Sequence, residues 1–327
     1  MMVSRQKWIW LGRLGCLCLS AIVLWLIFER IHLSILVRTL GALHPGWFLA
    51  AVLLYGMLFI PAAARWHLVL KLAGAAMGPM VTLRYTLIGH FFYTILFGPI
   101  GGDSAKVALY SRRFRIPFAR MLATAPLDRL FGWASSLVFA LAFIFSTLPR
   151  LKYQVPWTSL ILLAIAAVIL ILLIRPLRFV PCRSFARSFV DVGANILSSP
   201  RTLVIGVGCG FLTQAALAGV FAFNLLAVSS GPLPLEEIFW CLPVIIAASS
   251  LPSIGGLGTR EAAAIALLGP YGVSPATATA ASLLTFVVAV VWAVVGAALI
   301  PEFDSWTKAF SRSTWGLERE KQICSAP

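Results

Sequence analysis

The chain has 327 residues, 60% of them hydrophobic and only 11% charged; soluble domains carry about 25% charged residues, so water is excluded as the solvent of most of it and an integral membrane protein is expected. Its formal net charge is +15, yet the basic residues sit in short loops beside apolar runs without interleaved aromatics, which points to orientation and anionic lipid and argues against nucleic acid. The six cysteines and four histidines show no CxxC or HExxH spacing, so no metal site, disulfide framework or cofactor is expected.

Residues 8–28 are apolar apart from Arg13 and precede no small-residue cleavage site, so they read as a retained anchor. Residues 46–64 make a second span that ends in Arg65-Trp66-His67, a cluster suited to a membrane interface. Arg65 either snorkels there to the headgroups or takes part in a site. Residues 81–97 lead into Pro99-Ile100-Gly101-Gly102-Asp103 and Lys106, after which Arg112, Arg113, Arg115 and Arg120 form the most basic short loop. The positive-inside rule makes that loop cytoplasmic. Residues 121–148 cross outward and carry Asp128-Arg129, whose side chains point about 100° apart on a helix and so reach for other partners.

Residues 157–174 cross back without a charge. Beyond them Phe179, Cys182, Phe185, Ala186 and Phe189 share one helical face while Arg178, Arg183 and Arg187 lie elsewhere, which reads as an interfacial helix or, alternatively, a solvated basic loop. Residues 203–228 cross outward, with Gly206, Gly208, Gly210 and Gly219 permitting close helix contact. Residues 238–251 are too few to cross the ~30 Å core, and residues 262–268 are fewer still before Gly269-Pro270-Tyr271-Gly272 breaks the pattern. Residues 276–300 cross inward, and a polar cytoplasmic tail, 301–327, follows.

Between the two short pieces lies Leu251-Pro252-Ser253-Ile254-Gly255-Gly256-Leu257-Gly258-Thr259-Arg260-Glu261. Proline removes a donor, glycine loosens the backbone, and an intramembrane arginine costs about 2.5–3.5 kcal/mol on insertion scales, so such a stretch needs a use. It twins with the earlier run. In both, Pro and Ile-Gly-Gly are followed by a cation four residues after the second glycine, Lys106 in one and Arg260 in the other.

The expected fold is an all-α polytopic membrane protein with about six full spans plus two re-entrant hairpins in an inverted-topology repeat. It is a single transmembrane domain, 1–300, with repeat halves of about 46–148 and 203–300. Broken helices meeting near the midplane are a transporter device. Free amides at half-helix N-termini, with Lys106, Arg129 and Arg260, suit an anionic group, while Asp103, Asp128 and Glu261 balance them or meet a cationic one. The candidate substrate-binding residues are Gly101, Gly102, Asp103, Lys106, Asp128, Arg129, Gly255, Gly256, Arg260 and Glu261, with Arg65 in reserve. The alternative is that Arg260-Glu261 and Asp128-Arg129 pair across helices only to fix packing.

The run from Pro99 to Lys106, the Asp128-Arg129 pair, the Arg65-Trp66 cluster and above all LPSIGGLGTRE resemble the lysylphosphatidylglycerol synthase transmembrane family, also called flippase-like membrane proteins, from about residue 46 to residue 300. The resemblance implies a polytopic bacterial inner-membrane protein, with both termini cytoplasmic on the span count above. The best understood members of the family move aminoacylated phosphatidylglycerol between leaflets and carry a soluble transferase domain after the membrane part. The tail after residue 300 is too short for that domain, so a stand-alone form without lipid aminoacylation is expected. Where the family commonly has Leu-Pro and Arg, this chain has Gly98-Pro99 and Lys106, a point charge in place of a bidentate grip.

A translocator of an anionic or zwitterionic lipid or glycolipid is therefore expected. A non-transporting scaffold or regulator of phospholipid, hopanoid or glycolipid synthesis is the alternative. No GxSxG elbow or His-rich cluster supports an enzyme. Membrane lipid, including anionic inner-leaflet lipid at the basic loops, is the expected partner; a second copy of the chain and lipid-synthesis enzymes stay open.

Overall fold

A computed structural model describes residues 38–95, 98–147, 183–229, 231–239, 241–248 and 258–300. Among these the regular structure is helical throughout. The expected spans 8–28 and 157–174, the residues Gly255 and Gly256, and the tail lie outside the described residues.

Helices α1 (Pro45–Leu72), α6 (Pro200–Val228) and α10 (Pro275–Ala298) are long and apolar enough to cross a membrane. The last two start at a Ser-Pro pair. Ser199 accepts a hydrogen bond from the Thr202 amide and Ser274 from the Thr277 amide, while the following proline occupies the first turn, where its missing donor costs nothing. Leu49, Leu53, Met57 and Ile60 recur along α1 at helical spacing and are all exposed, as are Val287, Val290, Val291, Val294 and Val295 on α10. Such stripes are stable against lipid and unfavourable against water.

Helix α1 continues through Arg65-Trp66-His67 instead of ending before them. The expected interfacial cluster thus lies within the helix: Trp66 has no exposed surface, while Arg65 and His67 are partly buried. Helix α1 runs antiparallel to α6, with the His44 amide bonded to the Ala227 carbonyl at 2.8 Å at one end and Arg65 beside Gly210 further along. Helix α4 (Phe118–Thr147) lies against α6: the Phe131 ring crowds Gly206, and Ser135 donates to the Val207 carbonyl at 2.9 Å. A side chain at Gly206, Gly210 or Gly219 would collide with a neighbour, whereas Gly208, expected to act alike, faces open space.

Two antiparallel helix pairs are inserted between these long elements. In the first, α2 (Pro79–Ile95) turns back into α3 (Gly98–Phe114). Tyr93 lies on Gly102, Gly89 on Lys106, and Tyr85 on Tyr110, so the register is that of an antiparallel hairpin with the first diglycine run in the opening turns of α3. In the second, after the short α7 (Leu235–Ile238), α8 (Cys241–Ala248) pairs with α9 (Thr259–Leu268), and the Cys241 thiol donates to the Leu267 carbonyl at 3.5 Å. At 8 and 10 residues these helices are short, as expected, and a 3-10 turn, Gly269–Tyr271, ends the second.

The hairpins start from opposite ends of the bundle. The first opens beside the C-terminus of α10, where Arg84 donates twice to the Leu299 carbonyl, at 2.9 and 3.1 Å. The second opens in the apolar cluster of Val228, Leu242, Leu267, Val273 and Ala276 at the other end. Helix α5 (Arg183–Leu197) packs Phe185, Phe189, Val192 and Ile196 inward, so residues 183–197 are a helix and not a solvated loop. Ala186, expected on that apolar face, is exposed because the buried stripe runs through 189 and 192 instead.

Candidate functional site

The charged side chains of α1, α3, α4 and α9 gather inside the bundle in three linked groups. Arg65 of α1 grips Asp128 of α4 in two parallel bonds, Nε to Oδ1 at 2.9 Å and Nη2 to Oδ2 at 3.2 Å. Both side chains are largely buried, so the pair is a charge-assisted clamp between two long helices. Arg65 is thus neither a headgroup-seeking residue nor alone.

Asp103 serves two cations. Its Oδ2 accepts from Arg129 Nε at 2.6 Å, and its Oδ1 stands 3.4 Å from Lys106 Nζ one turn further along α3. Lys106 Nζ also lies 4.1 Å from the centre of the Trp66 ring, a cation–π contact in a buried setting. Trp66 is oriented in turn by Thr124, which accepts from its indole nitrogen at 3.4 Å. The neighbours Asp128 and Arg129 thus find separate partners, as their angular separation on the helix requires. Gly102 is consumed by packing: a Cβ there would come within 2.8 Å of the Gly89 carbonyl and of Tyr93, so glycine lets α3 close onto α2.

The third group surrounds Arg260. Its Nε donates to Ser282 Oγ at 2.7 Å and its Nη2 to the Ser282 carbonyl at 2.8 Å. The Ser282 hydroxyl then donates to Glu261 Oε1 at 2.7 Å, and the other Glu261 oxygen accepts the Gly258 amide. Glu261 therefore caps the start of α9 from inside the bundle, where its side chain is fully buried. Gly258 has φ of 89°, a conformation that only glycine adopts cheaply.

Tyr55 of α1 and Tyr93 of α2 pack on the same histidine, His90. Tyr93, near the end of α2, is within electrostatic reach of Asp103, Arg129 and Arg260 at once. Tyr55 of α1 is within reach of Tyr93 and Arg260. His90 fills the space between them, with ring centres 5.5 Å from Tyr55, 6.0 Å from Tyr93 and 5.1 Å from Phe59, and its Nε2 lies 3.0 Å from the Ala289 carbonyl.

Sequence reasoning missed Tyr55, Tyr93 and Ser282. Nothing marks the tyrosines among so many apolar aromatics. Ser282 had a signal: it stands 22 residues beyond Arg260, the same interval that separates Lys106 from Asp128. Among the described residues the interior cluster holds four cations, Arg65, Lys106, Arg129 and Arg260, against three carboxylates, Asp103, Asp128 and Glu261. The excess is positive and favours an anion.

A family model described as "Lysylphosphatidylglycerol synthase TM region" matches residues 13–297. The chain belongs to this family. No curated protein matches it. As a lysylphosphatidylglycerol synthase TM region it is a multi-pass membrane protein connected with lipid metabolism. The match takes in both hairpins and every member of the charged cluster.

Proposed function

We propose that this protein is a lipid translocator of the flippase-like kind, moving an anionic or zwitterionic lipid or glycolipid between leaflets of a bacterial inner membrane. The observation that carries the reading is that two hairpins open from opposite ends of the bundle, the first carrying Asp103 and Lys106 with Arg129 against them and the second carrying Arg260 and Glu261. A site built from half-helices that enter from the two ends is reachable in turn from each leaflet.

The full architecture in this reading has about six spans and two re-entrant hairpins, in inverted halves of about 46–148 and 203–300. Helix, hairpin, helix recurs in the order α1, α2–α3, α4 and again α6, α8–α9, α10, with α1 and α6 antiparallel. Irregular backbone at membrane depth is tolerated where protein buries it or it lines a wet cavity. The end carrying exposed Arg84, Arg112, Arg113, Arg115, Arg120 and Arg201 faces the cytoplasm, where it meets anionic lipid, and both termini lie on that side. The membrane part acts without covalent chemistry.

A second reading, a scaffold or regulator of lipid synthesis, is favoured by one observation. Arg65, Asp103, Lys106, Asp128, Arg129, Arg260 and Glu261 each have an oppositely charged partner within the protein. The deciding experiment follows labelled anionic, zwitterionic and polyprenyl-linked lipids between leaflets of reconstituted vesicles, for wild type, Arg260→Ala and Asp103→Ala. Movement lost in both folded variants supports translocation and names the cargo class. Vesicles in which no lipid moves, or in which the folded variants match wild type, favour the scaffold.

A further inference from the structure

At about 100° per residue, helix α4 divides into three faces. Asp128, Phe131, Ser135 and Phe139 form a buried one, and Leu130, Ala134, Leu137 and Val138 an exposed and wholly apolar one that suits lipid. The third is neither. Arg129, Gly132, Trp133 and Ser136 follow one another at i, i+3, i+4 and i+7, and all four are partly accessible. A face packed on protein would be buried like the first, and a face left to lipid would be apolar like the second. Polar residues that stay accessible within a membrane span line a wet space.

Helix α6 supplies a second wall. Gln214 lies midway along this crossing helix, on the face that buries Gly210, Ala218 and Phe221 and across the helix from the exposed Gly208 and Leu212. Gln214 is nevertheless partly accessible, so the space it meets lies inside the bundle and not in the lipid. Its Nε2 donates to Ser136 Oγ, and Ser136 donates on to the Gly132 carbonyl at 2.9 Å. A Cβ at Gly132 would stand 2.9 Å from Arg65 Nη1, so that guanidinium borders the same space.

We propose that this face of α4, together with Gln214, walls a wet crevice through which a lipid headgroup passes between the cationic cluster and the outer leaflet. Ser136 lies about 10 Å beyond Arg129 along the helix, on the side away from the basic end. Arg129 and Arg65 suit a phosphate ester. Beyond them the wall holds, among the described residues, an amide and a hydroxyl, which pair with hydroxyl groups and offer an ammonium no carboxylate. The occupant is therefore a phosphate-linked polyol headgroup, of glycerol or a sugar. The crevice stands on the geometry of α4 and α6; its occupant rests on the translocation reading.

The test uses the full chain in phosphatidylcholine vesicles. Ser135→Cys, Ser136→Cys and Leu137→Cys place a thiol in turn on the buried, wet and lipid faces. The water-soluble anion sulfonatoethyl methanethiosulfonate reads them against the background of the six native cysteines. Only a thiol in water ionises and reacts, so the Ser136→Cys protein should be modified about tenfold faster than either neighbour. Equal rates at positions 136 and 137, or no reaction at 136, overturn the crevice. In the same vesicles wild type should move labelled phosphatidylglycerol faster than labelled phosphatidylethanolamine. Gln214→Leu should slow the glycerol lipid about fivefold, the equivalent of one neutral hydrogen bond, with Ser136→Ala as a second variant should the first not fold. Wild-type movement in both variants, or equal movement of the two lipids by wild type, overturns the headgroup assignment. Modification confined to position 136 in vesicles where no lipid moves keeps the crevice and sinks translocation.

Discussion

The two hairpins carry the same diglycine-and-cation run but hold the cation in different ways. Lys106 belongs to a spread network: Asp103 lies one turn before it, Trp66 beneath it, and Arg129 shares its carboxylate. Arg260 belongs to a closed clasp, bonded to both the hydroxyl and the carbonyl of Ser282 and backed by Glu261 on its own helix. The exposures follow suit. Arg129 and Asp103 are 33% and 20% accessible, Arg260 and Glu261 8% and 0%. An anion can draw on Arg129 while Lys106 still balances Asp103, whereas drawing Arg260 away strips a buried carboxylate of its cation. The first hairpin is therefore the adaptable side of the site and the second its fixed jaw.

That contrast breaks most visibly at Asp103. Asp103→Asn leaves Lys106 and Arg129 facing each other without a carboxylate, and a loss of about 3 kcal/mol is expected in unfolding from micelles. This is the low end for a broken buried pair, because Arg129 can regain water. An additional Arg129→Gln should recover part of the loss; no recovery would mean that Lys106 alone carries the penalty. The clasp is sharpened by Ser282→Ala, which removes the bridge between Arg260 and Glu261 while keeping the backbone acceptor. A cost of about 2 kcal/mol is expected, read as roughly thirtyfold faster amide exchange confined to residues 258–262. Faster exchange along all of α10 would instead show that Ser282 holds that helix, not the jaw.

Much of this was legible in the sequence for a physical reason. Proline, paired glycines and charge are so costly in an apolar chain that residues 99–106 and 251–261 announced themselves, and the helices on either side of the second were visibly too short to cross. The partners were less legible. Arg65 was read as the end of a span because a basic-aromatic cluster is what an interface demands, and only the bidentate Asp128, 63 residues away, lets the helix run on through it. Tyr55, Tyr93 and Ser282 are ordinary residues in apolar helices, distinguished only by what the topology lays beside them. Gly208 looked like its neighbours Gly206 and Gly210 because composition does not say which way a helix is turned.

The smallest expected effect is the most discriminating for the comparison. Lys106→Met keeps an unbranched stem lying across Trp66 and removes only the charge, so the apolar contact survives. Asp103 retains Arg129 at 2.6 Å, the shorter of its two contacts, and is not left bare. What is lost is the cation–π attraction, about 1 kcal/mol in a partly desolvated setting, and a second, longer ion pair. Stability should therefore fall by about 1 kcal/mol, well short of the Asp103→Asn loss, as measured by the same unfolding in micelles. A loss of 3 kcal/mol or more would make Lys106 an equal holder of Asp103, and the first hairpin would then be as closed a clasp as the second.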